Sequence, residues 1–252
     1  QQTTHQLTTD KRMKIAIVGG GIGGLKTALA LKQNGQEITI YESAPEIKPV
    51  GAGIIMANNA MQVFDKLGVR KKIESAGYKI SNIKITDAHL NTISASNLTK
   101  FENKYGVYNV AIHRAELQKI LANEIGFQNI QLSKRLLKIE QGNDFKLTFD
   151  DNTSVNADIV IGADGIKSTV RNQLFGTGNI RDTKQKCWRG VSEFDWTSKY
   201  NHEAFEAWGK GKRFGFVKIS DKKVYWYAVI NETMKKITQT SQNCLKTFTL
   251  KL

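Results

Sequence analysis

Apolar positions along this chain change their spacing several times, and each change marks an element. A short, wholly apolar run, Ile15-Ala16-Ile17-Val18, enters a glycine cluster from Gly19 to Gly24. Leu25, Ala28, Leu29 and Leu31 then recur at helical spacing, to about Asn34. Glu37-Ile38-Thr39-Ile40-Tyr41 predicts a second strand. Strand, helix and strand in this order make a βαβ unit, which lays its two strands in a parallel sheet. Ala44 to Gly53 reads as a loop with both prolines, Pro45 and Pro49, and the Gly51-Ala52-Gly53 triplet. Asn58 to Leu67 has helical spacing and stops at Gly68, a predicted C-cap.

Lys79 to Thr86 and His89 to Ser94 alternate apolar and polar residues around a short turn, predicting a β-hairpin inserted into the sheet. Arg114 to Ile125 is an amphipathic helix (Leu117, Ile120, Leu121, Ile125) ended by Gly126. Strand-like pieces follow at Ile130 to Leu132, Leu136 to Glu140, Phe145 to Phe149 and Ser154 to Asn156. Asp158-Ile159-Val160-Ile161-Gly162 is a continuous apolar run of the kind buried in a parallel sheet. After about Gly178 no helical period remains. Aromatic-rich alternating segments appear at Cys187 to Phe194, Ala204 to Trp208, Phe214 to Ile219 and Val224 to Ile230, which reads as an antiparallel β domain.

Composition adds bounds. With 252 residues, 40% hydrophobic and 9% aromatic, the chain suits one large domain or two small ones with a sizeable core. A net charge of +14 raises the question of a nucleic-acid partner, but the lysines are spread along the whole chain. The densest clusters, Arg70-Lys71-Lys72 and Lys210 to Arg213, are short and separated. A solvated basic surface that attracts anionic ligands is expected, and no nucleic-acid partner. Cys187 and Cys244 give no disulfide framework, and the four histidines form no metal constellation. No uncharged apolar run approaches the roughly 20 residues of a membrane span. Lys11-Arg12-Met13-Lys14 before the first apolar run superficially resembles a secretory signal, but glycines break that core and Lys26 interrupts it. A reducing cytoplasm is the expected compartment.

Two motifs carry chemistry. Gly19, Gly21 and Gly24 form a G-x-G-x-x-G turn between a strand and a helix, the arrangement that binds a dinucleotide. Gly19 lets the chain turn off the strand, Gly21 removes a side chain where a pyrophosphate approaches, and Gly24 lets the helix pack closely. The helix N-terminal N–H groups then meet the phosphates. Glu42, ending the second strand about twenty residues later, stands where an acid binds a ribose hydroxyl. In the second motif, Asp164-Gly165-Ile166-Lys167-Ser168-Thr169-Val170-Arg171, an apolar strand delivers Asp164 to its carboxyl end, where open α/β sheets bind ligands. Ser168 is a predicted N-cap for a helix running through Val170 to Leu174. The fold class expected is α/β: a Rossmann-like dinucleotide-binding domain over 13–178 with an inserted β-hairpin, then an antiparallel β domain over 179–252. Residues 1–12 are expected to be a loose tail or tag remnant.

With these motifs in this order, the chain resembles the FAD-dependent aromatic-ring hydroxylases, flavoprotein monooxygenases of the para-hydroxybenzoate hydroxylase type. The resemblance covers about residues 14 to 230. It rests on Gly19 to Gly24 with Glu42, on Gly51-Ala52-Gly53-Ile54, on His113-Arg114 before Ala115-Glu116-Leu117, and on Asp164 to Arg171. Trp208-Gly209 to Phe214-Gly215 is similar to the family's loop leading into the substrate sheet. The resemblance implies FAD as cofactor, with Gly19, Gly21 and Ile22 at the pyrophosphate and Glu42 at the adenosine ribose. Arg114 would lie along the flavin side and Asp164 would hold the cofactor's central portion. Gly23, Gly24, Ser43 and Gly53 complete the implied cofactor set.

The same resemblance implies the chemistry: NAD(P)H as transient co-substrate, O2, and hydroxylation or epoxidation of a small aromatic or unsaturated compound. Because the flavin carries that chemistry, few protein acids or bases are needed. Arg189, Arg213 and Tyr225 are the candidates to face a polar aromatic substrate, with a structural role as the alternative for each. The family pattern departs at Lys218, where a proline is usual, and continues with a second Gly-Asp motif that has no counterpart before Leu252. The chain is therefore expected to be C-terminally incomplete relative to the family. A non-catalytic or degenerate FAD-binding domain and a flavin-dependent reductase of the same fold stand as alternatives.

Overall fold

A computed structural model of the chain describes residues 13–47, 52–176, 178–193 and 200–231. The tail at 1–12, Pro49, Gly51, Phe194 and the stretch from Glu232 to Leu252 lie outside these described residues. The chain begins β1 (Lys14–Val18), α1 (Ile22–Gln33), β2 (Glu37–Tyr41), β3 (Gly53–Met56), α2 (Asn58–Lys66), α3 (Arg70–Ala76) and β4 (Tyr78–Ile80). It continues β5 (Asn82–Asp87), β6 (Thr92–Asn97), α4 (Thr99–Tyr105), β7 (Asn109–His113) and α5 (Arg114–Ile125). Then come β8 (Ile130–Gln131), β9 (Leu136–Gln141), β10 (Phe145–Phe149), β11 (Ser154–Ala157), β12 (Ile159–Gly162) and α6 (Thr169–Phe175). Four long strands close the described chain: β13 (Gln185–Glu193), β14 (Glu203–Gly209), β15 (Lys212–Ser220) and β16 (Lys223–Asn231). Compactness divides the chain differently from a single cut at residue 178. One unit holds 13–47, 64–72, 115–176 and 178–179, and the other 52–63, 73–114, 180–193 and 200–231.

The first unit is organised by a parallel sheet of order β12-β1-β2-β8. Ile15 to Val18 are all buried, as a wholly apolar run in a central strand must be, and α1 turns its Gly24, Leu25, Ala28 and Leu29 side inward. The second apolar run does form a parallel strand, yet Ile159, Val160 and Ile161 are only half-buried. The reason is positional: β12 pairs with β1, and no described strand pairs along its other edge. An antiparallel sheet, β11-β10-β9, adds Leu136, Ile139, Leu147 and Phe149 to a core shared with Val18, Tyr41 and Val170. Tyr41 and Phe149 stack at 4.8 Å. Gly68 follows α2 with φ +72, its N–H reaching Asp65 O at 3.0 Å, so the predicted cap forms.

The second unit is built on a six-stranded sheet of order β13-β16-β15-β14-β5-β6. The hairpin anticipated at 79–94 as an insertion in the parallel sheet forms over 82–97 as β5 and β6, but it belongs to this six-stranded sheet, where β5 runs parallel to β14, while Lys79 and Ile80 lie in β4. Lys84 of β5 and Glu203 of β14 help fix that edge, with Nζ 2.8 Å from the carboxylate. One face buries Ala204, Val217, Ile219 and Tyr225 together with Ala52, Ile80 and Ala111 of the sheet β3-β7-β4 and its approach. On the opposite face Phe205 and Phe216 stack at 5.0 Å beside Val224. Lys218 is buried, with its ammonium 4.4 Å above the Tyr78 ring and 3.8 Å from Asp221. A cation held over an aromatic face tolerates that burial.

Candidate functional site

The glycine turn is held by backbone contacts on every side but one. Gly19 has φ +109, and a side chain there would strike the Ala163 carbonyl and come within 2.9 Å of Asp164 N. A Cβ on Gly24 would overlap the Gly19 carbonyl. These two glycines let the loop close on β12 and on itself. Gly21 differs: its φ of −70 suits any residue, and a Cβ there would meet nothing within 4 Å. Its missing side chain leaves open space directly before α1. The first intrahelical hydrogen bond runs from Leu25 N–H to Gly21 O, so the N–H groups of Ile22, Gly23 and Gly24 have no partner inside the helix. The cap has no side-chain hydrogen bond and the first turn no acid, which leaves the positive end of the helix dipole to a ligand.

Glu42 ends β2 beside this turn. Its Oε2 accepts the Gly20 N–H at 2.6 Å, and its Oε1 accepts the Ala44 N–H at 2.8 Å and the Ser43 hydroxyl at 3.2 Å. Gln118 of α5 donates to Gly20 O at 2.8 Å, so the loop is pinned from both sides. No signal in the sequence marks Gln118. The Asp164 motif folds into a closed cap. Asp164 Oδ2 accepts the N–H groups of Thr169 (2.6 Å) and Val170 (3.2 Å), and Oδ1 accepts the Ser168 hydroxyl at 2.6 Å. Ser168 Oγ in turn accepts the Arg171 N–H at 2.9 Å, while Arg171 Nη2 donates to Ile166 O at 2.5 Å. The Asp164 carboxylate thus caps α6, and Ala163, whose N–H reaches Val18 O at 2.7 Å, seats the motif against the glycine turn.

The remaining expected residues belong to the second unit. Gly53 pairs with His113, and a Cβ there would enter the Tyr225 ring, so packing alone accounts for this glycine. Arg114 opens α5 with its N–H on Ala52 O at 3.0 Å, tying that segment to the helix start. Tyr225 is 9% exposed. Burial pushes its phenol above the ordinary value, against the opposing pull of the Arg189 guanidinium beside it. Arg213 and Lys212 line an open cleft of about 310 Å³ with Gln185, Trp208, Val229 and Asn231. Next to Arg213 and Trp208 lies a residue the sequence did not single out, Glu206, whose carboxylate accepts the Trp208 Nε1–H at 2.6 Å and the Tyr227 hydroxyl and lies 3.7 Å from Arg213. Burial first, and then Glu206, push the Tyr227 phenol far above its ordinary range. No helix among the described residues is long and apolar enough to cross a membrane.

Against known proteins, a family model described as "FAD binding domain" matches residues 12–244. The aurachin C monooxygenase/isomerase of Stigmatella aurantiaca is 35% identical over 217 residues, covering 86% of this chain and 56% of that protein. The FAD-dependent urate hydroxylase of Mycolicibacterium vanbaalenii is 32% identical over 221 residues, covering 85% of this chain and 56% of that one. The structure of Klebsiella pneumoniae HpxO complexed with FAD and uric acid superposes with a TM-score of 0.81 at 26% identity, over 90% of this chain and 58% of that one. The chain spans little more than half the length of these relatives.

Proposed function

Because the chain belongs to the FAD binding domain family of flavoprotein hydroxylases and monooxygenases, we propose that it serves a monooxygenase reaction that uses NAD(P)H and O2 to hydroxylate or epoxidise a small aromatic or otherwise unsaturated substrate. FAD is the cofactor of this family. Bound FAD supplies hydride acceptance from NAD(P)H and transfer of one atom of O2 to an electron-rich ring or double bond. The residues of the first unit fit such a ligand. The N–H groups of Ile22 and Gly23 would hold the pyrophosphate at the positive end of α1, with Gly21 opening the way. Gly19 and Gly24 keep the turn closed against Ala163.

Glu42, already oriented by two backbone N–H groups with Ser43 beside it, keeps lone pairs for a ribose hydroxyl. Asp164, which caps α6 with three accepted hydrogen bonds, likewise keeps a lone pair for the cofactor's central portion. In the second unit, the cleft beside Arg213 and Glu206 would take the substrate ring. A cytoplasmic setting accords with the sparse cysteines.

The observation that carries this reading is Gly21: a glycine required neither by its backbone angle nor by any protein neighbour, set at an unpartnered helix N-terminus. The test is a visible spectrum of the natively purified protein, followed by NAD(P)H consumption with and without an aromatic compound. Bound flavin released as FAD on denaturation, with aromatic-stimulated oxidation, is the expected result. A colourless protein that also refuses added FAD would sink the reading.

A further inference from the structure

The tip of the β14–β15 hairpin brings two cations and an indole into one cleft. Arg213 of β15 stands opposite Trp208 of β14, and Lys212 opposite Gly209. Successive strand residues leave on opposite faces, so the cleft that both cations line wraps the hairpin tip. A Cβ on Gly209 would press on Lys212 Cγ and Cε at 3.2 Å, so the glycine gives the lysine stem its path. Among the described residues no acid lines the cleft, and no carboxylate pairs with Lys212. Trp208 is 48% exposed, yet its ring is held. Its Nε1–H donates to Glu206 Oε1 at 2.6 Å, and Glu206 Oε2 accepts the Tyr227 hydroxyl. Tyr227 reaches that carboxylate across Gly215, where a Cβ would fall on the tyrosine ring near its hydroxyl. Glu206 and Tyr227 thus brace the indole from outside the cleft lining.

We propose that Trp208 is the stacking platform of this cleft, with Glu206 as the positioning residue that holds it and with Lys212 and Arg213 taking an anionic group on the stacked ring. This rests on reading the cleft as the substrate site, and it assigns the substrate class: a planar aromatic anion, flat on the indole with its charge at the hairpin tip. An indole anchored by its N–H presents a fixed π-face to a second ring. A cation facing an anionic substituent makes a charge-assisted hydrogen bond, stronger than a neutral one. Two amides complete the cleft without adding charge. Gln185 Nε2 donates to Asn231 Oδ1 at 3.1 Å, which leaves the Asn231 amide hydrogens and Gln185 Oε1 for polar groups on the ring. The two donors on Glu206 differ in kind, since an indole N–H only donates whereas a phenol donates or accepts. An amide in place of the carboxylate can therefore keep the indole on its oxygen while its NH2 donates to the phenol. An aliphatic side chain can hold neither.

Three probes divide the claim: 3-hydroxybenzoate, 3-hydroxybenzamide without the charge, and cis-3-hydroxycyclohexanecarboxylate without the flat ring. Each is titrated calorimetrically into the natively purified protein. The wild type is expected to bind the flat acid roughly tenfold more tightly than either of the others. Lys212→Gln should remove most of the preference for acid over amide. Trp208→Leu should bring the two acids to the same affinity. Glu206→Leu should do likewise, because the Arg213 charge it releases favours both acids equally, whereas Glu206→Gln should keep the flat acid ahead. Equal wild-type affinities for the two acids, a preference for the amide, binding of no probe, or an advantage of the flat acid that survives Trp208→Leu or Glu206→Leu would overturn the proposal. The wild-type and Trp208→Leu titrations decide it even where Glu206→Leu fails to fold. Flavin absorbance of the same samples reports the monooxygenase reading separately: bound FAD without the preference sinks this proposal alone, and the preference without any bound FAD sinks that reading.

Discussion

The glycine turn and the six-stranded sheet solve opposite problems. The turn is built from backbone: N–H groups at a helix start, carbonyls in contact, and side chains removed where anything larger than hydrogen would collide. On the six-stranded sheet, side chains meet only because strands lie in register, as Glu206 meets Tyr227 across Gly215. Glycine serves both regions in different ways. At Gly24 it allows backbone to approach backbone, whereas at Gly215 it yields its place to a distant ring. Backbone sites are therefore brittle to any added atom, and register sites are tuned by charge.

The largest expected effect tests that brittleness. Gly24→Ala puts a methyl against the Gly19 carbonyl, which neither partner can yield, and should cost about 3 kcal/mol or more of stability by chemical denaturation. Gly21→Ala is its control: stability should stay within about 0.5 kcal/mol, while FAD affinity falls roughly tenfold because the side chain enters the ligand's approach. If both variants lose stability alike, the distinction between the two glycines fails. On the sheet, Gly215→Ala should cost about 1–3 kcal/mol by displacing the Tyr227 ring. Its sharper mark is the phenol, which should begin to ionise with the exposed tyrosines in a titration followed by ultraviolet absorbance.

The two regions should also part at opposite ends of the pH scale. Tyr227 holds its proton more tightly folded than unfolded, so its contribution is whole below the ordinary tyrosine range. It is lost as pH rises above about 10, where the unfolded chain ionises first. Thermal unfolding of Tyr227→Phe should show a flatter alkaline limb than the wild type. In the first unit, Lys134 and then Thr153 hold the Asp151 carboxyl down to about 2. A depressed carboxyl stabilises above its unfolded pKa, and that gain disappears as pH falls towards the folded value. Asp151→Asn should therefore match the wild type in acid and differ slightly near neutrality, the smallest effect because the group is exposed. Identical melting curves at both pH values would remove Asp151 from the account.

What could be read from the sequence follows the same division. The β1 turn, α1 and α5 were legible because their requirements are local: an apolar run, a glycine spacing, a stripe at helical period. The Ser168 cap and the strands from Gln185 to Asn231 were legible for the same reason. α3 and α4 were not, since α3 buries Ile73 and α4 buries nothing, so neither carries a stripe. β3 and β7 escaped because each is short and continuous with a loop, and only their pairing with one another reveals them. Asp164 shows the limit at a site: an acid at a strand end serves equally as a ligand or a helix cap, and only the fold shows that its oxygens cap α6. Glu206 shows the other limit. Nothing near it in the chain distinguishes it, because its partners arrive through register.

The interleaving of the two units has a consequence in time. Lys84 on the β5–β6 hairpin and Glu203 on its neighbouring strand are 119 residues apart. At a synthesis rate of about 5–20 residues per second, the hairpin leaves the ribosome roughly 6–24 seconds before β14 exists. For that interval its open edge offers unpaired N–H and C=O groups to any other nascent strand. The charges along it, Lys84 and Asp87, then guard the edge during birth as well as fixing it afterwards.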